Sequence, residues 1–86
     1  MIPASDSFGP WRLNLDHAER LARLRSMRAI ARLTLGPRGE TFAETLRQAE
    51  ADPEQLEPAL RQLNALAALD RRTVLASFAA LHRPST

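Results

Sequence analysis

The 86-residue sequence contains no cysteine, no lysine and no tyrosine. Without cysteine the chain has neither disulfide bonds nor thiolate metal ligands, and a chain of this length buries only roughly 60% of its unfolded surface. One small domain is therefore expected, and association with another chain is the remaining common source of stability. The lack of cysteine also fits a cytoplasmic protein, which is the location we expect.

Long apolar segments are lacking as well. No stretch approaches the ~18–20 apolar residues of a membrane span, and the N-terminus lacks the basic and apolar regions of a signal peptide. These two absences predict a soluble chain that does not contact a membrane.

Motifs that carry chemistry are also scarce. His17 and His82 lie near opposite ends of the helical part of the chain, and no nucleophile elbow, His-Glu-x-x-His sequence or EF-hand loop accompanies them. The segment GPRG, residues 36–39, follows a helix rather than a strand, so a helix connection with Arg38 exposed is favoured over a phosphate loop. We therefore expect no enzyme activity, no catalytic residue, no metal site, no cofactor and no small-molecule substrate.

The charge is small in total but unevenly distributed. All 12 basic residues are arginine, and the net charge is only +2. Residues 1–39 hold seven arginines against three acids, a local +4, whereas residues 40–86 hold five arginines against seven acids, a local −2. The segment 40–57 is the most acidic, with six carboxylates and one arginine. The two halves can neutralise each other within one chain or across a dimer, which competes with a nucleic-acid role for the arginines.

Apolar residues at helical spacing predict an all-α fold, a small bundle of about four helices. The helices are expected at about residues 16–35, 41–51, 53–69 and 71–82. They form a single helical domain, residues 15–83, which follows a non-helical extended arm, residues 1–14, and precedes a short C-terminal tail, residues 84–86. The alanine-rich last segment favours a helix over the strand of a winged domain.

Local signals set the expected helix limits. Asp16 and Thr41 are each followed by a glutamate three residues later, as in a capping box. Gly36 followed by Pro37 predicts the end of the first helix, because glycine allows the left-handed cap and proline cannot continue the helix. Asp70 is expected to cap the last helix.

The junction before the third helix contains two prolines. Asp52 is expected to cap the next element, and Pro53 suits a first helical position. Pro58 would remove a backbone hydrogen bond from a helix that starts at Pro53. Two solutions remain open: a helix that kinks at Pro58, or a short turn followed by a helix of which Pro58 is the first residue.

Residues 42–63 resemble a helix-turn-helix in their apolar spacing, and the stretch ADPEQLEPALRQL, residues 51–63, resembles its second half. The resemblance covers about a quarter of the chain and implies a DNA-binding transcriptional regulator, in which Gln55 and Arg61 would contact DNA. The sequence departs from this family at Glu50, where the turn usually has glycine. It also departs at Glu54 and Glu57, whose carboxylates would face the phosphates.

The N-terminal arm holds two of the four aromatic residues of the chain, Phe8 and Trp11. Disordered tails are usually poor in aromatic residues, so this arm is expected to dock on something. Phe8 and Trp11 either clamp the arm onto its own bundle or anchor a partner chain, since tryptophan is frequent among the residues that dominate interface energies.

The first helix is apolar on two sides. One stripe contains Leu21, Leu24 and Met27. The residues broadly on the other side are Leu15, Ala18, Ala22, Ala29, Ile30 and Leu33. A helix with two apolar faces is normally covered by more than one neighbour. We therefore expect this helix at the centre of the bundle or in an oligomer interface, with Leu21, Leu24 and Met27 as the surface buried against a partner.

Three arginines form a ridge on the same helix. Arg25, Arg28 and Arg32 fall within about 60° of one another around the helix axis. Guanidinium groups bind carboxylates and phosphates in bidentate fashion. Pairing with the acidic segment 40–57 is the favoured interpretation, and phosphate binding or an acidic protein partner are the alternatives. With the two arm aromatics and the leucine stripe, these arginines are the predicted partner-binding residues.

The sequence as a whole favours a non-enzymatic protein-interaction module: a small subunit, an adaptor, a chaperone-like protein or a regulatory protein. Its expected partners are protein chains, either a second copy in a homodimer or another chain in a hetero-complex. A DNA-binding regulator, as the helix-turn-helix resemblance implies, is the alternative.

Overall fold

The computed structural model describes residues 9–12 and 15–82. Over these residues the chain is all-helical and contains no strand, so the predicted all-α class is confirmed. The α-helices are α1, His17–Leu35; α2, Glu40–Ala51; α3, Leu56–Ala65; and α4, Ala68–His82. Short 3₁₀ turns, Gly36–Gly39 and Pro53–Gln55, lead into α2 and α3. Phe8, the side chain of His82 and the tail after it lie outside the described residues.

Both ends of α1 follow from local signals in the sequence. The Asp16 carboxylate accepts the backbone N–H of Glu19 at 2.9 Å and so caps the helix start. Gly36 ends the helix with φ +59° and ψ −136°, and its N–H donates to the Arg32 carbonyl. A residue with a side chain is strained at that φ, so glycine is needed there for conformational reasons. The predicted limits of this helix are correct.

The start of α2 differs from the prediction. The helix begins at Glu40, and Gly39 is its N-cap without any side-chain hydrogen bond. Gly39 lies against α1, where an added Cβ would be only 2.7 Å from the Cβ of Leu35. The predicted capping box at Thr41 is wrong, because Thr41 already lies in the first turn and its carbonyl accepts the Thr45 hydroxyl at 3.0 Å.

The junction between α2 and α3 accommodates both prolines. Asp52 caps a 3₁₀ turn, in which its carboxylate accepts the Glu54 N–H at 3.0 Å. Pro53 begins that turn, and the α-helix itself begins at Leu56. Pro58 is the third residue of α3, a position where the backbone N–H lacks an α-helical partner in any case. Neither proline therefore interrupts the middle of a helix.

The boundary between α3 and α4 lies earlier than predicted. α3 ends at Ala65, and Leu66 is extended with ψ 153°. α4 begins at Ala68, so Asp70 lies in its first turn and the prediction that Asp70 caps this helix is wrong. Arg71 donates to the carbonyl of Leu66 at 3.4 Å and thereby helps to satisfy the end of α3. A contact between a side chain and the backbone leaves no helical period in the sequence, so the apolar pattern did not predict this boundary.

The helices enclose one apolar core around α1, which packs against both α2 and α4, while α2 also packs against α3. The buried apolar residues are Trp11, Leu24, Met27, Ile30, Ala31, Leu35, Phe42, Ala43, Leu46, Ala49, Ala59, Leu63, Val74 and Phe78. α1 is therefore central, but it packs through one side, which carries Leu24, Met27 and Leu35. Leu81, near the end of α4, is 67% exposed.

Candidate interaction surfaces

The described part of the arm, residues 9–12, is docked on the bundle. Trp11 is buried, and its indole N–H donates to the Leu56 carbonyl at 2.7 Å. Gly9 and Pro10 beside it are buried as well. Of the two alternatives for the arm, the structure supports the clamp onto its own bundle for Trp11. Its indole is covered by the same chain and is not presented to a partner.

Two arginines of α1 donate hydrogen bonds to the backbone of this arm. Arg20 donates to the Pro10 carbonyl at 3.0 Å and to the Arg12 carbonyl at 2.6 Å. Arg23 donates to the Gly9 carbonyl at 3.3 Å. The fork of donors on a guanidinium suits several carbonyls that lack helical partners. Sequence reasoning missed this role, because hydrogen bonds to an irregular backbone leave no residue pattern.

The leucine stripe predicted as partner surface lies largely inside the protein. Leu24 and Met27 are fully buried core residues, and Leu21 is half-buried. The chain's own fold covers these side chains, so a partner could reach Leu24 and Met27 only if the fold opened. The candidate partner surface therefore moves from this stripe to the sides of the helices that the fold leaves uncovered.

Two of the three arginines of the ridge pair with the acidic segment, as the charge distribution predicted. Arg25 Nε donates to Glu50 Oε1 at 3.0 Å. Arg28 Nη1 lies 3.3 Å from Glu50 Oε2, an ion pair without hydrogen-bond geometry. The Glu50 side chain is only 16% exposed, so one carboxylate held between α1 and α2 neutralises two arginines. Arg32 is exposed and has no ion-pair partner among the described residues.

Replacing Glu50 with glutamine tests this arrangement. We expect Glu50→Gln to lower the free energy of unfolding by about 1–2 kcal/mol, because two guanidiniums lose their charged partner in a mostly covered position. Urea denaturation followed by circular dichroism measures the change. Glu54→Gln is the matched control, because Glu54 is exposed and nearby. Equal stability of the two variants would contradict a role for Glu50 in joining α1 to α2.

A groove of about 410 Å³ lies between α1 and α2. It is lined by Arg28, Arg32, Glu40, Glu44 and Arg47, among others. Arg47 forms an ion pair with Glu44. The hydrogen bond within this pair lowers the pKa of the Glu44 carboxyl below its ordinary value. Because carboxylates stand among the arginines, the groove is electrostatically mixed and is a poor site for phosphate.

The face that a helix-turn-helix protein would present to DNA is acidic. Glu54 and Glu57 are both exposed at the start of the α3 segment. Arg61 donates to Glu57 at 3.0 Å, so the basic residue expected to contact DNA is already paired. Gln55 is half-buried. The order of α2, turn and α3 matches the resemblance, but the outward side chains oppose a phosphate backbone.

α1 exposes a second, mostly apolar side, which we name the outer face of α1: Ala18, Ala22, Arg25, Ala29 and Leu33. These residues are exposed, and Leu33, at 85%, is the most exposed large apolar residue of the described part of the chain. They lie within about 80° around the helix axis at 100° per residue. The apolar side predicted from the sequence is therefore uncovered over most of its length.

α4 exposes a comparable side, the outer face of α4: Leu69, Thr73, Ala76 and Ala80. All four are exposed, Leu69 at 71%. They lie within about 60° around the helix axis, away from the buried side with Val74 and Phe78. No residue of this face carries a charge. α4 thus has apolar side chains both toward the core and toward solvent.

A cleft of about 430 Å³ lies between the arm, α1 and α4. Its lining includes Trp11, Met27, Leu75 and Phe78, with Arg71 at one side. Arg71 donates to the Asn64 carbonyl at 3.0 Å. The cleft is therefore mostly apolar and has few polar groups that could orient a small ligand.

The described ranges contain neither a metal-binding cluster nor a membrane-spanning helix. Within residues 9–12 and 15–82, no cluster of three or more histidine or carboxylate side chains is arranged to hold a metal ion. No helix in the same ranges is both long and apolar enough to cross a membrane. His17 is exposed at the first position of α1.

Comparison of the chain with models of protein families, with curated protein sequences and with solved structures finds no match. Function is therefore inferred from the surfaces of the molecule itself.

Proposed function

We propose that this chain is a non-enzymatic protein-interaction module, a small subunit or adaptor that acts by binding other protein chains. The observation that carries this proposal is that α1 and α4 each bury one apolar side in the core and expose a second. Soluble monomers rarely expose contiguous apolar patches larger than a few hundred Å², and such patches commonly mark protein-binding sites. We retain the cytoplasm as the expected location.

Energetics support the same proposal. Leu33, Leu69 and Leu81 are the large apolar residues left exposed on the described surface. Full burial of a leucine side chain contributes about 1.5–3 kcal/mol, a substantial gain for a small domain whose own core leaves it marginally stable. Covering the outer faces of α1 and α4 would therefore stabilise both the complex and the fold.

Site-specific photo-crosslinking in the cells that make the protein tests the proposal. A photoreactive amino acid at Leu33 or Leu69 is expected to give discrete crosslinked protein species. The same amino acid at Gln48, an exposed polar position on α2, is the control and is expected to give few. The crosslinked species are measured by denaturing electrophoresis and mass spectrometry.

Two results would contradict the proposal. Crosslinking at Leu33 and Leu69 no stronger than at Gln48 would remove the evidence for protein partners. That result together with salt-sensitive retention of the protein on duplex DNA would favour the DNA-binding alternative, since phosphate contacts weaken steeply with salt.

A further inference from the structure

We propose that the cleft between the arm, α1 and α4 binds a small aliphatic carboxylic acid. The chain of the acid lies against the apolar lining, and its carboxylate binds Arg71 and Arg72. This inference goes beyond the proposed interaction function and does not depend on it. Three observations support it: the size and lining of the cleft, the hydrogen-bond donors that Arg71 leaves unused, and the positive charge of the lining.

The cleft has the size and the walls of a ligand site. Its volume of about 430 Å³ lies within the range of about 300–1,000 Å³ that small-molecule sites occupy. Trp11, Met27 and Phe78 in its lining are buried core residues, and Leu75 is half-buried. Packing therefore fixes these walls before a ligand enters. An aliphatic chain laid against them leaves water at little cost in ordering the protein.

Arg71 leaves one edge of its guanidinium unused. Both of its hydrogen bonds, to the carbonyls of Asn64 at 3.0 Å and Leu66 at 3.4 Å, come from Nη1. Its Nε and Nη2 have no hydrogen-bond partner among the described residues. The N–H groups of these two nitrogens point the same way, and a carboxylate can accept both in two parallel hydrogen bonds. The bonds to the carbonyls already hold the guanidinium in place, so little of its freedom is lost when a ligand binds.

The lining of the cleft is positively charged and lacks an anion. Arg71 is half-buried there, and Arg72 is exposed and forms no ion pair with the described residues. No aspartate or glutamate of the described ranges belongs to this lining. The carboxylate next in sequence, Asp70, pairs with Arg38 at 3.1 Å. A guanidinium beside apolar walls is best compensated by an anion that brings an apolar body of its own.

These features together select one charge and an apolar chain. Apart from the guanidiniums the cleft has few polar groups, so a sugar or a nucleotide would lose hydrogen bonds to water without replacing them. An aliphatic alcohol would leave the arginines without a counter-charge, and an aliphatic amine would be repelled by them. An aliphatic carboxylate satisfies both the walls and the charge.

Trp11 reports binding directly, because it is the only tryptophan of the chain and lies in the lining of the cleft. Titration of the protein with octanoate, kept below micelle-forming concentrations, should give a saturable change in fluorescence. Octan-1-ol has a chain of the same length without the charge. It should bind about tenfold more weakly, because a charge-assisted hydrogen-bonded pair contributes about that factor. A change that never saturates, or equal affinity for acid and alcohol, would overturn the proposal.

Substitution of the arginines tests where the carboxylate binds. Arg71→Gln should weaken octanoate about tenfold, to the affinity of octan-1-ol, and should leave the affinity for the alcohol unchanged. Because Arg71 also satisfies the end of α3, Arg72→Gln provides a second variant that leaves those bonds in place, and it should weaken octanoate by a smaller factor. Arg61→Gln is the matched control, because it removes an exposed guanidinium outside the lining. Octanoate affinities that are the same in all three variants would contradict the arginine site.

Filling the cleft tests the position of the aliphatic chain. Ala76 is exposed and belongs to the lining, so Ala76→Phe should abolish the saturable response to both octanoate and octan-1-ol with an unchanged circular dichroism spectrum. Ala80→Phe makes the same change at an exposed position of α4 outside the lining and should leave binding intact. Binding that survives Ala76→Phe, or that is lost equally in both variants, would overturn the assignment to this cleft.

Discussion

Trp11→Ala is expected to lower the free energy of unfolding by about 3–5 kcal/mol, which is a large share of the total for a small domain. The indole is buried against the core, and its N–H satisfies the Leu56 carbonyl at 2.7 Å. The substitution therefore removes apolar contacts, opens a cavity and loses the hydrogen bond from the indole to that carbonyl. Urea denaturation followed by far-ultraviolet circular dichroism measures the change, since the variant has no tryptophan fluorescence.

Trp11→Phe is the matched variant for this prediction. It retains an aromatic ring but lacks the N–H donor, so we expect a smaller loss, about 1–2 kcal/mol. If Trp11→Ala were as stable as the parent protein, the arm would not be docked in solution, and the alternative in which Trp11 anchors a partner would return.

Leu24→Glu is expected to unfold the protein rather than only to separate a dimer. Leu24 is fully buried in the core, and a carboxylate at that position has no basic group inside the core to compensate its desolvation. The cost should exceed about 4 kcal/mol, comparable with the whole stability of a small domain. Loss of the helical circular dichroism signal at 25 °C is the expected result.

Leu33→Glu is the control, because it makes the same change on the same helix at a position that is 85% exposed. This variant should keep its helical spectrum and its unfolding midpoint. A folded Leu24→Glu protein would show that this side of α1 faces solvent or a partner, as the sequence predicted for the leucine stripe. Similar spectra for the two variants would therefore contradict the described core.

The parts of the fold that were predictable from the sequence are those fixed by neighbouring residues. Asp16 and Gly36 act on their own helix within a few residues, so the limits of α1 were predicted correctly. The break between α3 and α4 depends on Arg71, which satisfies carbonyls at Asn64 and Leu66. Residues 66–69 contain only leucine and alanine, which are good helix formers, so nothing local marks the break.

The same distinction applies to the candidate surfaces. Charge counting predicted that the arginine ridge would pair with the acidic segment, and Glu50 does pair with Arg25 and Arg28. Apolar periodicity showed that α1 has two apolar sides but could not show which one the other helices cover. That choice depends on where α2 and α4 pack. The leucine stripe with Leu24 is buried, and the side with Leu33 is exposed.

The hydrogen bond between Trp11 and the Leu56 carbonyl has a consequence for the order of folding. It joins residues 45 positions apart in the chain. The arm is synthesised before the helices, yet its docking site is complete only after α1 has formed and α3 has packed into place. Closing a loop of this length costs entropy that later contacts must offset. We therefore expect the Trp11 contact to be among the last to be fixed, and nascent chains that end before Leu56 to present Trp11 to the chaperones around them.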